Sequence, residues 1–157
     1  MVWPAEIGDA ITVLTDLSEV EEEERVRLGI NDFEPTYRQV DMGRVFVVVA
    51  SKAPRVALAI FGVNEHGFIW FLPSQYAVEH HGRMLADKRM CRWFIEHCFA
   101  LAGPEVKTLY NGVTPEGTKI INWLKKSCGA RFSNTPVPTE HNGALALPFF
   151  IDRPNHL

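Results

Sequence analysis

Three apolar runs constrain this chain more than anything else in it. Residues 45–50, 56–61 and 68–72 are each strand-length, rich in Val, Ile and Phe, and apolar almost without interruption. A strand with one wet face alternates between apolar and polar side chains. A run that is apolar at every position belongs to a sheet covered on both faces. The turn-like stretch Ser51-Lys52-Ala53-Pro54 separates residues 44–50 from residues 55–61, which read as an antiparallel hairpin; Asn64-Glu65-His66-Gly67 turns the chain into the third run. The rest of the chain must then supply helices for two faces, and 157 residues are enough to do so in one domain.

The flanking segments carry helical spacing. Ala10, Ile11, Leu14 and Leu17 share a face. Ser18 is placed to cap a second helix, with Glu21 three residues on to reach back to it. Glu21 with Arg25 and Glu23 with Arg27 are spaced as i, i+4 pairs, so the acidic run 21–24 reads as a solvated face, ending at Gly29. Pro73 ends the third strand, and residues 74–81 read as a loop. Residues 82–102 read as one helix, with Leu85, Cys91, Phe94, Ile95, Cys98 and Phe99 in an apolar stripe and Arg83, Arg89, Arg92 and Glu96 elsewhere on the wheel. A strand over 106–110 follows. Thr114-Pro115 then offers a cap and a first-turn proline for a helix through Ile120, Ile121, Leu124 and Cys128, closed by Gly129. Residues 130–132 resume extended structure, a proline-containing excursion covers 133–143, and a final strand covers 144–151. The order predicts an α/β fold: a mixed, mostly antiparallel central sheet with helices on both faces, in a single domain over 1–157.

Composition removes several classes of function. A formal charge of −3 gives no field for direct nucleic-acid binding. Three cysteines without a CxxC pair fit buried thiols rather than a disulfide framework or a zinc knuckle. His80, His81, His97 and Cys98 lack one-face ligand spacing, so no metal is expected. There is no G-x-S-x-G elbow. The apolar runs are too short to span a membrane. The opening Met1-Val2-Trp3-Pro4-Ala5-Glu6 lacks a signal-peptide pattern, so a cytoplasmic protein is expected. The aromatics Trp70, Phe71, Tyr76, Trp93 and Phe94 read as core or partner surface.

The succession of Trp3-Pro4-Ala5 with Asp9-Ala10, then residues 68–72 with the helix after Gly82, then Leu124 through Gly129-Ala130-Arg131-Phe132, resembles the GNAT acyltransferase fold. Over residues 19–151 the chain resembles more closely a divergent branch, the internal virion protein A family of short-tailed bacteriophages. That likeness rests on Leu28-Gly29-Ile30, Trp70-Phe71-Leu72-Pro73-Ser74, Leu109-Tyr110-Asn111, Trp123-Leu124-Lys125-Lys126, Gly129-Ala130-Arg131-Phe132 and Phe149-Phe150-Ile151.

The GNAT resemblance implies acetyl-CoA as the group carried. Its thioester would lie near Phe71 and Leu72, and its pyrophosphate would meet backbone N–H groups around Gly82, Arg83 and Met84. In Glu79-His80-His81-Gly82-Arg83-Met84 only Gly82 keeps the small-residue pattern; His81, Arg83, Lys88 and Arg89 offer compensating charge. The family's tyrosine acid corresponds to Lys125, leaving Tyr110 as a substitute, with Glu65 or Glu79 as the nearby base. Those departures favour a catalytically silent relative. The phage resemblance implies an internal virion or assembly component. Its partners would be phage structural or ejection proteins, contacted through Trp3, Tyr76, Arg92, Trp93 or the 133–143 excursion. Its location would be the host cytoplasm or the virion. The alternative is an acetyl-CoA-dependent N-acetyltransferase acting on a host protein or a small amine.

Overall fold

A computed structural model describes residues 2–50, 55–140 and 142–157. The elements run β1 (Val2–Pro4), α1 (Ile7–Leu14), α2 (Glu19–Leu28), α3 (Glu34–Asp41), β2 (Val45–Val49), β3 (Ala57–Val63), β4 (Ile69–Pro73), α4 (Gln75–Ala86) and α5 (Lys88–Ala102). They continue with β5 (Thr108–Val113), α6 (Thr118–Ser127), β6 (Arg131–Phe132), β7 (Val137–Pro138) and β8 (Leu145–Asp152). The turn assigned to Ser51–Pro54 lies outside the described residues, as does Met1.

β1-β2-β3-β4 form an antiparallel sheet in that order, with Val47 opposite Ile60 and Ile60 opposite Leu72. A second antiparallel group, β5-β8-β6, takes β7 on β8. The apolar runs do what their composition demands, because both faces of β2 and β3 are covered. Val45, Val47, Val49 and Ile60 meet Ala10, Val13 and Leu14 of α1 and Val40 of α3. Val48, Ala59, Phe61 and Ile69 meet Cys91, Phe94, Ile95, Cys98 and Phe99 of α5 and Leu124 of α6. Each fully buried side chain of this size contributes about 2 kcal/mol through surface withdrawn from water. The fold is thus the mixed α/β arrangement with helices on both faces.

Three local readings are corrected, and one helix is added. Residues 74–81 are not a loop. They begin α4, capped by Ser74 Oγ accepting from Ala77 N at 3.0 Å and kinked at His81. The helix expected over 82–102 is therefore two helices, parted at Asp87, whose side chain caps α5. Thr114 does not cap α6, which starts four residues later behind Gly117. A helix the spacing did not reveal, α3, fills part of the gap before β2. Of the 133–143 excursion, His141 lies outside the described residues, and the rest is folded back on the chain. Val137 pairs with Ala146, Thr139 N donates to Ala144 O, and Asn142 Nδ2 donates to Arg27 O.

Candidate functional site

The site begins where the two sheet groups meet. β4 and β5 lie side by side in parallel but touch only at one end. Tyr110 N donates to Gly67 O at 2.9 Å, Phe68 bridges to Tyr110, and Asn111 Nδ2 donates to Ile69 O at 2.6 Å. Beyond that pinch no pairing joins these strands among the described residues. Gly67 makes the pinch possible. Its φ is +95°, and a Cβ there would stand 2.4 Å from Thr108 O; only glycine accepts both.

Past the pinch the strands part, and a cavity of about 690 Å³ passes between them. On one side it is walled by Leu17, Glu21, Glu24 and Arg25 and by the α2–α3 connection. On the other it is walled by Phe94, Ile95, Ile120, Trp123 and Leu124, with Trp70, Phe71 and Leu72 of β4 and Asn111 to Val113 of β5 at the waist. Phe71 stacks on Trp123 with centroids 5.6 Å apart, so this waist is apolar and aromatic.

The polar wall belongs to α2. The expected solvated acidic face is corrected here, because Glu24 is buried and Glu21 is partly so. Glu24 accepts from Thr114 N and Thr114 Oγ1, each at 2.6 Å, and from Arg27 at 3.1 Å. That ties α2 to the segment after β5 and saturates the carboxylate. Arg25 is held by Glu22 and by Ile30 O, not by Glu21. Glu21 also does not close a capping box. Its backbone N–H donates to Ser18 Oγ at 3.3 Å, while its carboxylate turns into the cavity and has no hydrogen-bond or ion-pair partner among the described residues. Burial first, and then the neighbouring charge of Glu24, push Glu21 up from 4.5 to about 7. A carboxyl poised there gives up or takes a proton near neutrality.

The residues singled out from sequence fall into three places. Phe71 and Leu72 line the cavity. Gly82, Arg83 and Met84 lie in the second half of α4, beyond its kink; Gly82 has ordinary helical backbone, and a Cβ there would meet nothing within 4 Å. Glu65 and Tyr110 come together, but at a separate open hollow shared with Lys107, Arg131 and Phe150. Lys125 is exposed, its ammonium 5.4 Å from the Phe132 ring. Glu21 was missed because the spacing Ser18–Glu21 matches a capping box, a local signal that burial overrides. No group of three His, Cys, Asp or Glu able to hold a metal occurs among the described residues.

A CoA thioester has two requirements, and they are met unequally. The apolar waist at Phe71, Trp123 and Phe94 suits an acyl and pantetheine arm. A diphosphate needs free N–H groups at a helix start, and these are taken. Gln75 N donates to Asp16 O at 2.6 Å, Tyr76 N to Asp16 Oδ2 at 3.1 Å, and Ala77 N to Ser74 Oγ. At α5, Asp87 Oδ1 takes Arg89 N and Met90 N at 2.8 and 3.2 Å. The chain's own oxygens, a carbonyl, a hydroxyl and the carboxylates of Asp16 and Asp87, thus occupy these amides, and the nucleotide end of CoA does not fit in that mode.

Comparison with solved structures places the fold. The chain is similar over 96% of its length, and over 92% of the other, to spermidine N-acetyltransferase from Vibrio cholerae in a complex with CoA and spermine, with a TM-score of 0.62 at 17% identity. It is also similar to an acetyltransferase of the GNAT family from Bacillus anthracis, covering 95% of this chain and 90% of that one, with a TM-score of 0.61 at 13% identity. No protein-family model matches the sequence, and no curated protein matches it significantly. Likeness at such identities shows a GNAT-like fold, while activity has to be argued from the site.

Proposed function

We propose that this chain moves an acyl group from a thioester to a primary amine that enters the cleft as a cation. One observation carries the reading: an unpartnered, partly buried carboxylate, Glu21, stands on the wall of a cavity that runs through the gap between β4 and β5. Glu21, Glu24 and Asp32 give this wall an acidic balance against Arg25 alone, which suits an ammonium ion. The likeness to a spermidine N-acetyltransferase supports the same class of acceptor.

The chain's own residues have two tasks in this reading. The α2 wall draws in the ammonium, and Glu21 takes its proton, leaving a neutral nitrogen with a lone pair. The waist at Phe71, Trp123 and Phe94 excludes water from the carbonyl under attack. The C–N bond then forms as the C–S bond breaks. The departing sulfur takes the second nitrogen proton and leaves as a thiol. Glu21 returns its proton to solvent.

Calorimetry with spermidine as the probe tests the acceptor side. The wild type should bind it above pH 7, and Glu21→Gln should weaken binding by about tenfold or more, the scale of a charge-assisted contact. Equal binding by the two proteins would overturn the assignment.

The saturated amides at the starts of α4 and α5, with Lys125 at the position of the family's tyrosine, favour one second reading. It is a catalytically silent protein, which the sequence resemblance to the phage family would make a particle component associated with structural or ejection proteins. Thiol release and mass gain on the amine separate the readings. If neither occurs with any thioester, and the protein co-purifies with ejection proteins from infected cells, the silent reading holds. No helix among the described residues is long and apolar enough to cross a membrane, which both readings accommodate.

A further inference from the structure

The donor end of the cleft departs from what a free nucleotide would require, and the surface beside it has a different character. Arg83 on α4 and Lys88, Arg89 and Arg92 on α5 are all exposed, in a chain whose formal charge is −3. The acids on these two helices are already engaged. Asp87 caps α5 and lies 3.7 Å from Arg89, Glu96 pairs with His156 at 2.9 Å, and Glu79 accepts from Gln75. Among the cations stands Trp93, 45% exposed yet fixed in orientation, because its ring stacks on His97 with centroids 5.4 Å apart and planes at 14°. Arginines around a pre-oriented exposed tryptophan have the composition of a protein-binding centre rather than of a solvated face.

This surface adjoins the cavity. Trp123, which lines the cavity, donates through Nε1 to Leu85 O at 2.8 Å, and Ser127 Oγ donates to Ala86 O at 3.1 Å. Those carbonyls belong to the joint between α4 and α5, two to four residues from Arg83, Lys88 and Arg89. The backbone that carries Arg83, Lys88 and Arg89 is thus tied by hydrogen bonds to a residue that lines the cavity.

We propose that the acyl donor is a pantetheine thioester presented by an acidic carrier protein, docked on Arg83, Lys88, Arg89, Arg92 and Trp93, rather than a thioester of a free nucleotide. The proposal rests on the acyl-transfer reading above. A carrier protein supplies its negative charge from side chains of its own surface, which long exposed arginines reach. It asks nothing of the helix-start amides that Asp16, Ser74 and Asp87 already hold. The complementarity is local: both bodies carry net negative charge, and only this basic patch presents the opposite sign to an acidic surface. Transfer balances as for any thioester: the acyl carbon exchanges sulfur for nitrogen, and the carrier leaves with a free thiol.

The test compares three donors by calorimetry: a bacterial acyl carrier protein loaded with an acetyl group on its phosphopantetheine, acetyl-pantetheine, and acetyl-CoA. The loaded carrier is expected to bind tightest, to weaken with added salt, and to lose about tenfold or more in the Arg89→Glu, Arg92→Glu double variant. Acetyl-CoA is expected to bind no better than acetyl-pantetheine. Acetyl-CoA binding about tenfold tighter than acetyl-pantetheine would overturn the proposal, because the nucleotide would then be gripped. Carrier binding unchanged in the double variant would also overturn it, as would stronger binding of a single-stranded oligonucleotide to the same residues. Both substitutions are at exposed positions, and circular dichroism checks that the variant folds. Failure of the acyl-transfer reading looks different: donors bind, but spermidine does not, and Glu21→Gln changes nothing.

Discussion

Replacing Glu21 by Gln should make the protein more stable at alkaline pH and less able to bind an amine. In the folded chain, burial and Glu24 hold the Glu21 carboxyl near 7, against 4.5 when unperturbed. Between those values the folded state keeps a proton that the unfolded state has released, so stability falls as pH rises through this window. The displacement from 4.5 to about 7, at about 1.4 kcal/mol for each tenfold change in proton affinity, sets a ceiling of about 3 kcal/mol. Partial exposure of Glu21 to the cavity trims this to about 2 kcal/mol. Glutamine has the shape of the protonated acid and does not ionise. The variant should therefore match the wild type at pH 4.5 and exceed it by about 2 kcal/mol at pH 8. Urea unfolding at both pH values, with the m-value checked for constancy, gives the difference directly. A difference that does not grow with pH would refute the claim that Glu21 is desolvated and unpaired, and with it the candidate base. A gain in stability joined to a loss of amine binding is what a residue kept for function at a cost in stability would show.

Glu24 should behave in the opposite way, since Glu24→Ala strands the buried Thr114 N–H and hydroxyl and one side of Arg27. A loss of about 3–5 kcal/mol is expected in urea unfolding, and less than about 1 kcal/mol would show that α2 is anchored by something else. Gly67→Ala meets both the positive φ and the contact with Thr108 O, so a loss of about 2–4 kcal/mol is expected, with faster hydrogen exchange at the Tyr110 amide that Gly67 O accepts. His97 has a buried Nε2 without a hydrogen-bond partner among the described residues, and burial holds its pKa below the ordinary value. Its contribution is complete above about pH 6.5 and is lost as pH falls below it, because the unfolded chain then binds the proton first. His97→Phe should remove that acid sensitivity. An acid-induced drop equal to that of the wild type would clear His97 of the role. Below about pH 6.5 and above 4.5 the His97 and Glu21 slopes oppose each other, so the Glu21→Gln variant should fall more steeply on acidification than the wild type.

The sheet was legible in the sequence because being covered on both faces is a property of composition. Two runs of six apolar residues and one of five, bounded by turn residues, are too short for buried helices, and the strands fall within two residues of the runs. The local capping signals misled for the same reason that they are usually useful: they describe a helix end in isolation. Thr114-Pro115 looks like a helix start, but Thr114 is 1% exposed and is needed as a double donor to Glu24, so the helix begins after Gly117. The start of α4 was obscured because Pro73 and the polar residues after it read as a loop, although Ser74 at the cap position was an available sign. Besides Ser74, Asp16 holds that start from 60 residues away in sequence, which no window of local pattern contains.

That contact also bears on how the site should be understood. A helix that starts directly behind a splayed strand offers positive partial charge to whatever lies in front of it. In this chain the aspartate in front of it is the chain's own, and the same is true one helix later at Asp87. Two independent helix starts on the donor side, each closed by a carboxylate and followed by exposed arginines, amount to a change in the kind of group the surface meets. Backbone amides recognise a small anion at hydrogen-bond distance, whereas arginine side chains reach outward to charges spread over a larger body. An Asp16→Asn variant separates these modes. If the arginines do the recognising, it should leave carrier-protein binding within about twofold while costing about 1 kcal/mol at the α4 cap. If the helix start is the true anion site, removing the charge should raise affinity for acetyl-CoA over acetyl-pantetheine, and the carrier-protein assignment would fail.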